Sequence, residues 1–149
     1  MKIEISKAGI EYKSEILELL TDFYETDVES PLAKKLRGTL TELLNYPKYG
    51  NVFIVKSGVD IIGYLILTFG YSIEYGGRDA FIDEFYIKEN YRNKGIGKEA
   101  LDYIIKYART TGIKALHLQV KEKHKAASNL YEKSGFTHHD GRFMTMKLS

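Results

Sequence analysis

Asn90-Tyr91-Arg92-Asn93-Lys94-Gly95-Ile96-Gly97-Lys98 is the stretch on which the reading of this chain turns. It follows a β-rich run, Ala80 to Ile87, and opens a segment, Gly95 to Thr111, in which Ile96, Ala100, Leu101, Ile104, Ile105 and Ala108 share one helical face. A strand, a glycine-bearing turn and an amphipathic helix therefore meet here. The first turn of a helix carries backbone N–H groups without intrahelical acceptors, and the macrodipole adds partial positive charge. Gly95 and Gly97 allow unusual φ and close approach of a ligand to the backbone. Arg92, Lys94 and Lys98 add cationic side chains. Such a turn suits a pyrophosphate. Taken alone, two glycines before a helix equally describe a tight turn that binds nothing. The stretch has no Walker pattern, GxxxxGKS/T, and no third glycine at dinucleotide spacing, and its strand is not the first of a βαβ array.

Outward from this turn, the order of elements is legible. Lys2 to Ser6 alternates and predicts a first strand. Tyr12 to Tyr24 places Ile16, Leu17, Leu19, Leu20 and Phe23 at helical spacing, with Ser14 as the N-cap. An acidic connection, Glu25 to Pro31, leads to a second helix, Leu32 to Leu44, that stops before Pro47. Asn51 to Lys56 and Ile61 to Tyr71 read as strands joined by Ser57-Gly58-Val59-Asp60. Glu74 to Asp79 reads as a second turn before the strand Ala80 to Ile87. Short turns make these strands antiparallel. After the helix, with Gly112 as its C-cap, Lys114 to Val120 reads as a parallel strand. Ala126 to Lys133 is a short helix ended by Gly135, and Phe136 onward and Arg142 to Leu148 read as closing strands. The expected fold is a single α/β domain over residues 1–149. Its mixed, mostly antiparallel sheet has six to seven strands with four helices, in the order β-α-α-β-β-β-α-β-α-β-β.

Composition bounds the rest. The chain has 149 residues, 44% hydrophobic and 28% charged, enough for one core. A net charge of +2 gives no reason to expect a nucleic-acid or membrane-surface partner. The absence of cysteine removes disulfides and a thiol nucleophile, and there is no GxSxG elbow. The charged N-terminus lacks the apolar core of a signal peptide, and no run approaches a membrane span, so a cytoplasmic setting is expected. His138-His139 reads as a surface turn, and no metal is expected.

Arg92-x-x-Gly95-x-Gly97, between a fourth strand and its helix, resembles the acetyl-CoA motif of the GNAT superfamily, commonly Arg/Gln-x-x-Gly-x-Gly/Ala. Leu130-Tyr131-Glu132-Lys133-Ser134-Gly135-Phe136 resembles that family's LYxxxGF. The element order matches as well. The resemblance implies an N-acetyltransferase with acetyl-CoA as co-substrate. Arg92, Asn93, Lys94, Gly95, Ile96, Gly97 and Lys98 would hold its diphosphate, and Phe85, Tyr86 and Ile87 its pantetheine arm. Ala127 and Asn129 would add contacts, and His124 stands where many members have Asn. Tyr131 would protonate the departing thiolate, since a phenol is neutral at pH 7. A ring simply packed in the core is the alternative.

The amine must lose a proton, and a carboxylate can take it. Asp83 and Glu84 lie in the strand before the turn. Period-two alternation sends them to opposite faces unless a bulge intervenes. Phe81-Ile82-Asp83-Glu84-Phe85-Tyr86-Ile87 with Tyr91-Arg92 resembles the diamine and polyamine branch, which implies Asp83 as the assisting acid. Gly63-Tyr64 and Tyr71 fall where that branch has similar residues. Tyr24 at the end of the first helix, Glu25 and Asp27 of the acidic connection, and Tyr71 are the candidate acceptor-binding residues. A polyamine, amino acid or other small amine is the expected acceptor. Protein lysine or N-terminal acetylation and a catalytically inactive CoA-binding module are the rival functions. A homodimer is the expected assembly, by resemblance.

Overall fold

The computed structural model describes residues 2–149. Two compact units divide them, one running to Leu118 and the other Gln119–Ser149.

The first unit is built on a five-stranded sheet in the order β1-β2-β3-β4-β5, with β1 Ile3–Lys7, β2 Gly50–Ser57, β3 Asp60–Ser72, β4 Gly77–Ile87 and β5 Ala115–His117. Neighbours are antiparallel through β4, and β5 is parallel to β4. Two helices, α1 Lys13–Phe23 and α2 Pro31–Asn45, precede β2, and α3 Ile96–Thr110 makes the crossover from β4 to β5. Alternation along β2 sorts the core. Val52 and Ile54 pack with Ile16, Leu19, Leu20 and Leu40 of α1 and α2. Val55 packs with Ile96 and Ala100 of α3, and the Phe53 ring meets Tyr107 at 4.9 Å between centroids. One face of the sheet thus carries α1 and α2, the other α3, as a two-sided apolar sheet requires.

Local signals explain most boundaries. Ser30 caps α2, its Oγ accepting from the Ala33 amide at 3.0 Å, and Pro31 opens the helix. Ser14 does not cap α1. A short 3₁₀ turn, Ile10–Tyr12, leads into that helix, and Tyr12 holds the cap position without a side-chain bond. The β3–β4 turn is confined to 73–76, because Ser72 already pairs with Gly77, so Asp79 lies in a strand and not in the turn.

The expected six to seven strands are five among the described residues. β5 covers three residues, not Lys114 to Val120, because β4 offers it only Asp79 to Phe81 as partners. The Gln119–Ser149 unit contains α4, Lys125–Lys133, with Gly135 at φ 105° just beyond its end. Phe136 onward and Arg142 to Leu148 form no strand. Apolar alternation describes a side-chain pattern, whereas a strand also requires a backbone partner, and Phe143, Met144, Met146 and Leu148 stay exposed. Among the described residues, no helix is long and apolar enough to cross a membrane.

Candidate active site

The end of β4 positions everything in the first unit. Ile66 of β3 pairs with Glu84, while the next residue, Leu67, pairs with Ile82. Asp83 is therefore an extra residue, a β-bulge. Its effect shows in the side chains on either side. Before the bulge, Ala80 packs with Ala108 and Ile113 on the α3 face. After it, Phe85 and Ile87 pack on that face with Ile96 and Ala100, and Tyr86 joins the α1/α2 cluster. The alternation has changed phase at Asp83, so Asp83 and Glu84 face the same side.

They open together into a cleft of about 250 Å³ between α2 and the sheet. Leu20, Leu36, Leu40, Leu43 and Ile66 form its apolar wall, and Glu42 of α2 is the third carboxylate on it. Glu84 is half-buried and held from two directions. The Tyr64 hydroxyl donates to Oε1 at 2.7 Å, and the Tyr24 hydroxyl donates to Oε2. Burial pushes the Glu84 carboxyl above its ordinary range; the two phenol donors oppose this, and the Asp83 charge adds to it. Burial, the hydrogen bond to Glu84 and its charge likewise raise the Tyr24 and Tyr64 phenols, so both are neutral donors. Phe23 braces this clamp, its ring 5.0 Å from Tyr24 and 5.8 Å from Tyr86.

In the turn after β4 only one of the two glycines takes the unusual φ expected of both: Gly95 does, whereas Gly97 lies within α3 and has no positive φ. A 3₁₀ turn, Glu89–Tyr91, precedes it. Asn93 (φ 62°) and Gly95 (φ 80°) are left-handed, and Gly95 caps α3 without any side-chain bond. Space around Gly95 is open, so its glycine is required by φ and not by room. The first α3 amide bonded to the protein is that of Glu99, which donates to the Gly95 carbonyl. Among the described residues, the amides of 93–98 have no acceptor. Arg92 ties this turn to β4, its Nε donating to the Ile87 carbonyl at 2.8 Å. Lys94 lies over the Tyr91 ring and Lys98 pairs with Asp102 at 2.8 Å, so these cations are engaged along the surface.

β5 leaves β4 after the Phe81–His117 pair. Beyond it, residues 82–87 of β4 have no strand partner on that edge among the described residues. His117 marks the fork, paired with Asp79 at 2.9 Å.

Of the acceptor-binding candidates, Tyr24 sits on Glu84. Glu25, Asp27 and Tyr71 do not line the cleft, and Tyr71 is an exposed residue near the far end of β3. In the second unit, His124 is an exposed residue at the start of α4, with Ala127 and Asn129 on that helix. Tyr131 stacks edge-on against Phe136, with centroids 5.9 Å apart, and burial raises its phenol pKa. Its hydroxyl has no hydrogen-bond partner among the described residues. His138 pairs with Glu132 at 2.7 Å. Among the described residues, no group of three or more His, Asp and Glu side chains is placed to hold a metal.

Sequence reasoning missed Tyr64 as the partner of Glu84. The signal was a phenol inside the apolar run of β3, whose hydroxyl must find an acceptor when buried. It also missed Glu42, for which a helical face shared with Leu36, Thr39 and Leu43 was the cue.

A family model described as the acetyltransferase (GNAT) family matches residues 14–136. The chain belongs to this family. Relatives include the N-acetyltransferase YycN of Bacillus subtilis, 38% identical over 81 residues, 54% of this chain and 51% of that one. The thialysine N-ε-acetyltransferase of Bos taurus is 32% identical over 78 residues, 52% of this chain and 45% of that one. The GNAT chain thus spans about half the length of the curated relatives it matches. Among solved structures, an integron cassette protein from the Cole Harbour Salt Marsh metagenome superposes with a TM-score of 0.85 at 26% identity, covering 97% of this chain and 90% of that one. The fold is also that of an aminoglycoside acetyltransferase, meta-AAC0020, from an uncultured soil sample, with a TM-score of 0.80 at 16% identity over 99% and 97% of the two chains.

Proposed function

We propose that this GNAT chain transfers an acetyl group from acetyl-CoA to a small primary amine, directly, in a ternary complex. The observation that carries the reading is the Asp83 bulge, which turns two carboxylates into one cleft on a strand that ends in a turn of six unbonded amides. Acetyl-CoA supplies a thioester whose acyl carbon takes the amine nitrogen as its C–S bond breaks.

The protein's part is positioning and proton transfer. Amides 93–98 bind the diphosphate, with the α3 dipole behind them. The free edge of residues 85–87 pairs with the extended pantetheine arm, and its N–H groups stabilise the developing oxyanion. Glu84 accepts the proton that the attacking nitrogen sheds. Its raised pKa makes it a stronger base than an exposed carboxylate, and Tyr24 and Tyr64 fix its orientation. Asp83, exposed on the cleft wall, attracts the ammonium form of the acceptor. Tyr131 gives its proton to the departing thiolate, and His124, Ala127 and Asn129 add contacts to the cofactor. Neither a cysteine nor a serine elbow exists to carry the acyl group.

The test is an acetyl-CoA turnover screen over polyamines, amino acids, aminoglycosides and peptides, alongside calorimetry with acetyl-CoA. Acetylation of a small amine is expected, with Gly97→Glu weakening acetyl-CoA binding by filling and repelling at the turn. Tight acetyl-CoA binding with no acetylation of any amine would reassign the chain as a CoA-binding module.

A further inference from the structure

The fork where β4 and β5 part is closed by a side chain that is held from three sides. Leu116 packs with Ala80 on the α3 face. The next residue, His117, therefore turns to the opposite face, the one that carries Asp83 and Glu84. Its Nε2 lies 2.9 Å from Asp79 Oδ2. Its ring is flanked by Phe81 and Tyr75, with centroids 4.9 and 5.3 Å away. Asp79 is itself seated. It pairs with Gly70 of β3, and a Cβ at Gly70 would meet Asp79 Oδ1 at 2.7 Å, so the missing side chain makes room for the carboxylate. The imidazole is held but not sealed, since 18% of the His117 side chain stays accessible.

A linear ligand on the free edge of β4 has a set direction. With its diphosphate at the turn beyond Ile87, its other end points back along the strand to the fork. Asp83 is two residues from Phe81, about 6–7 Å along the strand. We infer, resting on the acetyl-transfer reading above, that His117, pinned by Asp79, is the end wall of the acyl site and restricts the donor to short acyl groups, acetyl above all. Two penalties act on a longer chain. The strands are already paired from Asp79 to Phe81, and the ring has no free side to rotate into, so the fork does not open for added carbons. Each added methylene also presses on a polar imidazole–carboxylate pair and takes its water without returning a hydrogen bond. The wall thus works by rejecting the longer donor.

Acetyl-, propionyl- and butyryl-CoA differ only by methylenes, so with one amine acceptor held constant they isolate this wall. For the unaltered protein, kcat/KM is expected to fall about tenfold or more with each methylene, the low end of what one methylene is worth in a fitted pocket. His117→Ala should raise butyryl-CoA relative to acetyl-CoA by at least about tenfold. Asp79→Ala, which frees the ring, should relax the limit less, and His117→Phe, which keeps the volume, should preserve it. The ratio between donors is the readout, because a general loss of structure lowers all three alike. Thermal melts identify a variant that fails to fold, and Asp79→Ala then carries the comparison. Calorimetry of the three thioesters without acceptor separates this claim from acetyl transfer itself. An order of affinities that depends on His117, without turnover, keeps the end wall and rejects the transfer reading. Equal treatment of acetyl- and butyryl-CoA by the unaltered protein, a length limit that survives His117→Ala, or a uniform loss across the three donors in that variant overturns the assignment of His117.

Discussion

Tyr64 and Glu84 meet diagonally across the β3–β4 ladder, where Tyr64 pairs with Tyr86 and Ile66 with Glu84, and the Tyr64 hydroxyl lies 2.7 Å from Oε1. Tyr64 is fully buried, so its phenol cannot swing away from the carboxylate without leaving the core. Tyr64→Phe removes one neutral donor that favours the ionised carboxylate, so the Glu84 pKa rises further. The acid limb of the pH–rate profile should move to higher pH. At neutral pH, kcat/KM should fall by about tenfold, the scale of a hydrogen bond to a charged group. A profile identical to the unaltered protein would remove Tyr64 from the site.

Glu84→Gln separates stability from activity. A carboxyl held above its ordinary range binds more protons folded than unfolded, so its contribution to stability falls as pH rises through that window. Removing the charge should therefore raise the melting temperature relative to the unaltered protein at neutral pH, with little difference in mild acid. Turnover should drop by about 10²–10⁴, the usual span for loss of a general base. Thermal scans at the two pH values and a steady-state assay give both readouts.

Tyr131→Phe should lower kcat while leaving acetyl-CoA affinity intact by calorimetry. Burial raises the Tyr131 pKa, so any basic limb it contributes lies above the ordinary phenol range. Unchanged turnover would leave Tyr131 as a packed ring against Phe136 only.

Gly95→Ala tests backbone conformation without a clash. Its φ of 80° penalises any Cβ, but no atom lies within 4 Å of one built there. Destabilisation of about 1–2 kcal/mol is expected from the left-handed conformation alone. Gly95→Asn should cost less, since Asn tolerates that region. Urea midpoints of the three proteins order the effect.

Tyr107→Phe is a structural control. The Tyr107 hydroxyl donates to Asn51 Oδ1 at 2.9 Å, and Asn51 is a buried polar residue of the core. Leaving that oxygen unpaired should cost about 1–3 kcal/mol in urea unfolding. Acetyl-CoA binding should not change.

The helices and hairpins of the first unit could be read from the sequence because their signals are local. Pro31, Gly58 and Gly95 each act within one turn, and the α3 stripe repeats over four turns. The bulge could be raised but not settled. Two adjacent acids between Ile82 and Phe85 break the period-two alternation, and only pairing with Ile66 and Leu67 shows that Asp83 is the extra residue. That single register step decides whether β4 gives the cleft one carboxylate or two. The cleft's far wall was hidden for a related reason. Glu42 is distant in sequence from β4, and the packing of α2 alone brings them together. Glu25 and Asp27 of the acidic connection do not line the cleft. The closing strands failed because alternation in Arg142 to Leu148 carries no information about a partner edge.

The parting of β4 and β5 after Phe81 also bears on how the protein behaves in a tube. An open strand edge invites the edge of another molecule, and self-association through such edges is a common start of precipitation. A ligand laid along residues 82–87 would shield that invitation. Preparations kept with coenzyme A should accordingly stay monodisperse to higher concentration and for longer storage than those kept without it, and light scattering would see the difference before any assay did.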